Sequence, residues 1–201
     1  NSNADDGRIL NNVTVAGVNL GGMTPEEAAA ALHRATDLTY TNEDMVIELP
    51  DVTLRLSPAD TGAKLDVDAV VEAAYRYGRT GTQAEQKRIR AQAMVSTHTI
   101  ALLPYLELDV DYIRQTLDTY GANFNSSYTP ASFEFEGEKP GLTAEDFDED
   151  APCQTLVLTI GTPGQHLDIN AIYNDVLDAY SFNRFLVQVP QGDPQEVPKE
   201  L

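Results

Sequence analysis

The sequence holds a single cysteine, and no apolar run in it approaches the length of a membrane span. One thiol, Cys153, cannot form a disulfide within the chain, which excludes the disulfide-stapled class of small secreted scaffold. A helix needs roughly 20 mainly apolar residues to cross a bilayer, so we expect no segment of this chain to span one. No segment has the pattern of a signal sequence either.

Basic residues are also scarce. There are 13 lysines and arginines against 32 aspartates and glutamates, so the net charge is −19 at pH 7. This charge argues against the phosphate backbone of a nucleic acid and against an anionic membrane surface as partners. Small neutral, cationic or metal-bearing partners remain open. A hydrophobic content of 42% over 201 residues is enough to bury a core, in one ordinary domain or two small ones.

What the sequence does contain is a segment that occurs twice, at residues 56–71 and 158–173. In each copy a β-rich run ends in a glycine turn, at Gly62 and Gly164, and a Leu-Asp pair then precedes a helical pattern. The two glycines are 102 residues apart (164 − 62), which is about half of the chain. We therefore predict two copies of one structural unit.

Each copy predicts an amphipathic helix that is capped by an aspartate. Asp66 and Asp168 stand where a short carboxylate accepts hydrogen bonds from the free N–H groups of a first helical turn. Apolar residues then recur at the spacing of a helix that packs on a sheet. They are Val67, Val70, Val71 and Ala74 in the first copy, and Ile169, Ile172, Tyr173, Val176, Leu177 and Tyr180 in the second.

The first half begins with a small hairpin or bent strand and a clearly signalled helix. Residues 13–20 alternate as two short β segments around a small turn. Thr24, Pro25 and Glu27 then occupy the N-cap, first and capping-box positions of a helix that we expect to run to about Ala35.

Further elements follow from alternation and from turn residues. Two strands are predicted within 46–56, and single strands at 99–103, 132–136, 155–160 and 184–189. The helix of the first copy is expected from Asp66 to about Tyr77, closed by Gly78, and a helix after Asp109 is expected to end at Gly121. Together these elements predict an α+β fold, with two similar units of helix, strands, glycine turn and helix, and small mixed or antiparallel sheets packed by amphipathic helices.

The predicted organisation has a start and an end outside the folded units, and we interpret the chain as a piece of a longer protein. The segments are a tag scar or disordered start at 1–7, the first repeat at 8–81, a polar crossover at 82–98 with helical or extended structure, the second repeat at 99–190 with an acidic insertion at 137–153, and a C-terminal linker at 191–201.

Three stretches resemble a known family. Residues 13–28 read Val-x-Val-x-Gly-Val-x-Leu-Gly-Gly-Met-Thr-x-Glu-Glu-Ala, residues 62–70 read Gly-x-x-Leu-Asp-Val-Asp-Ala-Val, and residues 74–79 read Ala-Tyr-x-x-Gly-Arg. This combination resembles the peptidoglycan-binding module that is found in tandem upstream of L,D-transpeptidase domains and of VanW-like (vancomycin-resistance W-type) domains in Gram-positive bacteria. The resemblance implies an extracytoplasmic α+β module, associated with the cell wall, in a protein that is anchored by an N-terminal membrane helix. Peptidoglycan, as glycan or stem peptide, is the partner that it implies.

The residues that we predict to contact such a ligand are Tyr75, Arg76, Tyr77 and Arg79. Aromatic faces stack on sugar rings, and arginine forms bidentate hydrogen bonds with the carboxylates of stem peptides. The alternative is structural: Tyr75 would then belong to the core, and Arg79 would bind the last carbonyls of the preceding helix and stabilise the turn at Gly78.

The sequence offers little that suggests catalysis or a metal. Cys153 stands next to an acidic stretch, which raises a thiol pKa, and no Ser-His-Gly-Cys pattern is present, so we predict no catalytic residue. The histidines His33, His98 and His166 have no ligand spacing and are interpreted as exposed polar residues. Asp146, Asp148 and Asp150 alternate like the start of a calcium loop, without its later glycine and glutamate, so a solvated acidic loop is favoured over calcium.

We accordingly expect no cofactor and no metal. Three functions remain open at this point: a non-catalytic wall-binding module that positions a downstream domain, a structural spacer or protein-docking domain that binds no glycan, and an enzyme in its own right. The enzyme requires a convergent set of titratable groups that the sequence does not display.

Overall fold

The structure is a computed structural model, and it describes residues 6–125, 132–136, 155–159 and 166–190. The chain divides into two compact units. The first contains the described residues up to Leu117 and those from Ile169 onward, and the second contains the described residues between Asp118 and Asp168. Helices combine with small antiparallel and mixed sheets, which confirms the predicted α+β class.

The first unit opens with the predicted hairpin. Strand β1 (Val13–Val15) pairs antiparallel with β2 (Val18–Asn19). Ala16 and Gly17, at the turn, have φ angles of 52° and 76°. Two left-handed residues in succession give the turn a twist that matches the twist of the flanking strands.

Helix α1 (Pro25–Asn42) has the predicted start. The Glu27 N–H donates to the Thr24 hydroxyl at 3.2 Å, and the Thr24 N–H donates to the Glu27 carboxylate at 3.0 Å, which completes the capping box. The predicted end near Ala35 is wrong, because buried side chains at Leu32, Thr36 and Tyr40 continue the apolar stripe at a spacing of four residues. Thr36 belongs to this stripe because its hydroxyl donates to the Leu32 carbonyl at 2.7 Å.

Two strands of another sheet follow in the first unit. Strand β3 (Met45–Glu48) pairs antiparallel with β4 (Thr53–Leu56), as predicted for residues 46–56. A short helix α2 (Pro58–Thr61) then ends at Gly62, whose φ of 63° confirms a glycine turn at this position.

Strand β5 (Lys64–Leu65) leads into helix α3 (Val67–Arg76). Asp66 is the N-cap, and its carboxylate accepts from the Ala69 N–H at 3.1 Å. All four residues predicted for the apolar face of α3, Val67, Val70, Val71 and Ala74, are buried.

The predicted crossover contains helix α4 (Gln83–Ala93), which has a capping box of its own between Thr82 and Glu85. The chain then forms strand β6 (His98–Ile100) and, after a single turn of 3-10 helix, strand β7 (Leu106–Glu107). Strand β6 pairs parallel with β1, and β7 pairs antiparallel with β5.

Helix α5 (Val110–Phe124) begins after Asp109, whose carboxylate accepts from the Tyr112 N–H at 2.9 Å. The predicted end at Gly121 is wrong, because the helix continues through this residue to Phe124. Within the second unit Tyr120 and Phe124 stack at a centroid distance of 5.7 Å, and this pair one turn apart extends the helix beyond the glycine.

The second unit also contains the hairpin of strands β8 (Ser132–Glu136) and β9 (Thr155–Thr159). These two predicted strands are therefore confirmed. The acidic insertion at 137–153, with Cys153 and the aspartates considered for calcium, lies outside the described residues, as do Gly164, the start at residues 1–5 and the C-terminal segment 191–201.

Helix α6 (Ile169–Ser181) and strand β10 (Leu186–Gln188) complete the first unit. Ile172, Val176 and Tyr180 of the predicted α6 face are buried, and β10 pairs parallel with β3. The sheet orders are β2-β1-β6 and β10-β3-β4, so the second sheet joins β3 and β4 to a strand that lies about 130 residues later in the chain. The division into two repeats at 8–81 and 99–190 stays a prediction.

Candidate functional site

The four residues predicted to contact a ligand lie at the end of α3, on either side of Gly78. This glycine has a φ of 74°, a left-handed conformation that side chains of other residues rarely allow. A Cβ atom placed there would lie 2.5 Å from the Leu10 side chain and 3.2 Å from that of Ile89. Glycine is therefore required both by the turn of the chain and by the close approach of its neighbours.

Tyr75 and Arg79 form one pair of these residues. The Arg79 guanidinium lies over the Tyr75 ring, 4.2 Å from its centroid, and donates to the Tyr75 carbonyl at 2.8 Å. Its other nitrogen donates to the Arg8 carbonyl at 2.6 Å. Arg79 thus binds the end of α3 and ties it to the N-terminal segment, the arrangement that the structural alternative describes.

Arg76 and Tyr77 form the other pair, and both line an open groove of about 740 Å³. One wall of the groove is the last turn of α3, and the opposite wall is strand β6 with the residues that follow it, as far as Tyr105. The groove lies entirely within the first unit. Its volume is in the range of roughly 300–1,000 Å³ that is typical of ligand-binding clefts.

Tyr77 stacks on His98, so the two walls of the groove are in contact at this pair. The ring centroids are 3.9 Å apart and the interplanar angle is 3°. Both rings are half-buried. The sequence predicts His98 to be an exposed polar residue, and the structure instead places it half-buried against Tyr77. Its local sequence does not indicate that the pairing of β6 with β1 brings it there.

Arg76 supplies the permanent charge of the groove. Its guanidinium is 3.4 Å from the Glu72 carboxylate one turn earlier, and the two side chains are 63% and 67% exposed. A pair this exposed is weakly held, so the guanidinium is free to reorient toward an anion. Among the described residues that line the groove, no aspartate or glutamate is present.

A smaller cavity of about 340 Å³ lies at the other end of α3. It is lined by charged residues of both signs, including His33, Lys64, Asp66 and Glu107. Asp66 is already engaged as the N-cap of α3. This cavity therefore presents acidic and basic side chains together, whereas the groove has no carboxylate among its described lining residues.

Two further properties concern metals and membranes. In the part of the chain that the structure describes, no three His, Cys, Asp or Glu residues lie close enough together to hold a metal ion. No helix in the same part is both long and apolar enough to cross a membrane.

Comparison with known proteins matches residues 54–146 to the family described as "Putative peptidoglycan binding domain". The match covers slightly less than half of the chain. No curated protein and no solved structure matches. The matched family is a binding domain and not a family of enzymes.

The matched range contains α3, β6 and the segment between them, and thus both walls of the groove. It also contains all four residues that the sequence predicts to contact a ligand. Residues 54–146 are therefore similar to a peptidoglycan binding domain, in agreement with the resemblance seen in the sequence, and they support a role for this protein in binding the cell wall.

Proposed function

We propose that this protein is a non-catalytic, extracytoplasmic module that binds peptidoglycan, and that the groove between α3 and β6 is its binding site. The observation that carries the proposal is that both walls of this groove belong to the segment matched by the peptidoglycan-binding family. The groove also combines an aromatic surface with a single permanent positive charge.

The chemistry of the groove suits a cell-wall fragment. The stacked rings of Tyr77 and His98 offer apolar surface on which a sugar ring or a small side chain packs. Arg76 offers paired N–H donors for a carboxylate, such as the lactyl or peptide carboxylates of the wall. In this proposal Arg76 and Tyr77 contact the ligand, whereas Tyr75 and Arg79 hold the loop that positions them.

We further propose, from the sequence resemblance, that the module belongs to a larger Gram-positive surface protein. It would position a downstream domain, of the L,D-transpeptidase or VanW-like kind, on the wall. Two repeats in tandem and an N-terminal membrane anchor are part of the same proposal.

Sedimentation with insoluble peptidoglycan sacculi tests the binding role. The purified protein is incubated with sacculi, with and without wall teichoic acid, across a series of salt concentrations. Saturable binding that persists at moderate salt is expected, because stacking and bidentate hydrogen bonds are less sensitive to screening than attraction between distant charges. Absence of saturable binding to either preparation contradicts the proposal.

A double variant, Arg76→Ala with Tyr77→Ala, tests the site. We expect its affinity for sacculi to fall roughly tenfold or more, because truncating a central aromatic or arginine contact commonly costs above 1 kcal/mol. The matched control is Arg34→Ala with Tyr112→Ala, which removes another exposed arginine and a half-buried tyrosine from α1 and α5, outside the groove. Equal affinities of the two double variants argue against this site.

A structural spacer or protein-docking domain is the second candidate function. The net charge of −19 favours it, because wall polymers in Gram-positive bacteria are often anionic and would repel the protein. The same sedimentation experiment separates the two functions, since a spacer leaves the sacculi unoccupied at every salt concentration.

A further inference from the structure

We infer that the groove binds an extended peptide, which adds to the open edge of β6 as a further strand. On the proposed function, on which this inference rests, that peptide is the stem peptide of peptidoglycan and the glycan strand lies outside the groove. Peptide binding of this kind derives affinity from main-chain hydrogen bonds and selectivity from the side-chain pockets beside the edge.

The first support is the position of β6 in its sheet. The strand order is β2-β1-β6, so β6 is an edge strand among the described residues. Its neighbour β1 occupies one side, with Thr14 opposite Thr99. The other side is the wall of the groove, to which Thr99, Ile100 and Ala101 contribute.

The second support is the direction of the backbone groups of β6. The His98 N–H donates to the Asn12 carbonyl at 2.8 Å, so the backbone of His98 points toward β1. Backbone groups alternate in direction along a strand, so the N–H and C=O of Thr99 point to the open edge. The Thr99 hydroxyl is engaged with the Thr14 hydroxyl at 3.0 Å and leaves this edge uncovered.

The third support is the surroundings of the edge. Natural proteins protect open strand edges with proline, charged side chains, bulges or covering segments, or by keeping the edge strand very short. Strand β6 has only three residues, His-Thr-Ile, so its edge suits a short peptide segment, and it contains no proline and no side chain with a fixed charge. The last turn of helix α3 forms the opposite wall of the groove.

The fourth support is charge. The protein as a whole has a net charge of −19, yet the groove is lined by Arg76 and by no described carboxylate. An arginine on the wall opposite the strand edge suits the free carboxylate at the end of a peptide. Beside the edge, Tyr77 and Tyr105 supply apolar surface for side chains of the bound peptide.

The experiment uses the whole protein and two probes from one digestion. Sacculi are treated with an amidase that separates the stem peptides from the glycan, and the binding of each fraction is measured by calorimetry. We expect the peptide fraction to bind and the peptide-free glycan to bind at least tenfold more weakly.

The edge itself is tested with a matched pair of proline variants. Thr99→Pro removes the outward N–H of β6 and leaves the ladder with β1 intact, since proline is tolerated on edge strands. Its affinity for the peptide fraction should fall about tenfold, because a main-chain hydrogen bond is lost and the ring obstructs the edge. Thr53→Pro is the control: Thr53 lies opposite Glu48 in a pair whose backbone groups face away from each other, on the edge strand β4 outside the groove.

The contribution of Arg76 is measured on unaltered protein with a synthetic peptide of the stem sequence, as the free acid and as the C-terminal amide. We expect the amide to bind about tenfold more weakly. The amide N–H of Thr99, followed by NMR, should exchange rapidly in the free protein and become protected when the free acid binds.

The outcomes separate this inference from the proposed function. Binding of intact sacculi together with equal binding of peptide-free glycan overturns the peptide inference and leaves the proposed function in place. Equal affinities for acid and amide, with no protection of Thr99, also overturn it, and this arm requires no variant to fold. Absence of binding to intact sacculi contradicts both.

Discussion

The ring of Tyr77 lies parallel to the imidazole of His98, with centroids 3.9 Å apart. Tyr77 is the C-cap of α3, and His98 begins the edge strand β6. The pair therefore joins the two walls of the groove, and the geometry of the candidate site depends on it.

The stacked pair predicts a difference between two substitutions of Tyr77. Tyr77→Phe keeps the ring and should change the free energy of unfolding by no more than about 0.5 kcal/mol. Tyr77→Ala removes the stacking and the half-buried surface and should cost about 1–2 kcal/mol. Urea denaturation measures both values, and equal losses for the two variants would show that the hydroxyl, rather than the ring, holds the walls together.

Gly78 and Gly62 give a matched pair of left-handed glycines. Gly78→Ala introduces a Cβ atom 2.5 Å from the Leu10 side chain, whereas Gly62→Ala places its Cβ where no atom lies within 4 Å. Both changes impose a left-handed conformation on alanine, which costs about 1 kcal/mol. We expect Gly78→Ala to lower the free energy of unfolding by about 1–3 kcal/mol more than Gly62→Ala, because the neighbours must also move. Thermal denaturation of the two variants checks this, and similar melting temperatures would contradict it.

We predict that Asp66, the N-cap of α3, contributes more to the free energy of unfolding than the nearby carboxylate of Asp68. Asp66→Ala removes the carboxylate that accepts from the Ala69 N–H and should destabilise the protein by about 1 kcal/mol. Asp68→Ala, also in the first turn and exposed, loses only its favourable interaction with the helix dipole, about 0.3–0.5 kcal/mol. Chemical denaturation at low and high salt distinguishes them, since the dipole contribution of Asp68 is screened and the hydrogen bond of Asp66 largely persists.

Stability at alkaline pH should depend on Tyr180. Burial raises the pKa of this tyrosine from 10.0 to about 12. Burial also raises the pKa of Tyr40. The pKa of Tyr180 is therefore higher in the folded protein than in the unfolded chain. The contribution of its protonated hydroxyl to folding stability is complete below pH 10 and is lost progressively as the pH rises toward 12.

The measurement is the free energy of unfolding from neutral pH to pH 12 for the parent and for Tyr180→Phe. The variant lacks the titrating hydroxyl, so its stability should decline less steeply over the alkaline range. Parallel pH curves for the two proteins would show that Tyr180 does not contribute to the alkaline loss.

Much of the local structure was predictable because its determinants are close together in the chain. The capping box at Thr24 and the cap at Asp66 are formed by residues three positions apart. The apolar face of α3 repeats with the period of a helix, so its buried residues could be named from spacing alone.

The helix ends were predictable only in part. Gly78 ends a helical segment as expected, but Gly121 lies inside α5, and α1 continues to Asn42 through Thr36 and Tyr40. A polar Thr36 looks like a boundary in sequence, but it is buried, and its hydroxyl is satisfied there by donating to the Leu32 carbonyl. Helix ends of this kind depend on tertiary burial, which overrides local propensity.

The candidate site shows most clearly which features are set by local sequence and which depend on the tertiary structure. The sequence by itself determined that Tyr75, Arg76, Tyr77 and Arg79 follow a helix and a glycine turn, because caps, turns and helical periodicity are local properties. Only the tertiary structure decided that Arg79 also binds the carbonyl of Arg8, and that Tyr77 stacks on His98 beside an open strand edge. The physical reason is that strand pairing joins residues far apart in the chain through backbone groups that every residue shares, so local sequence carries little record of the partner.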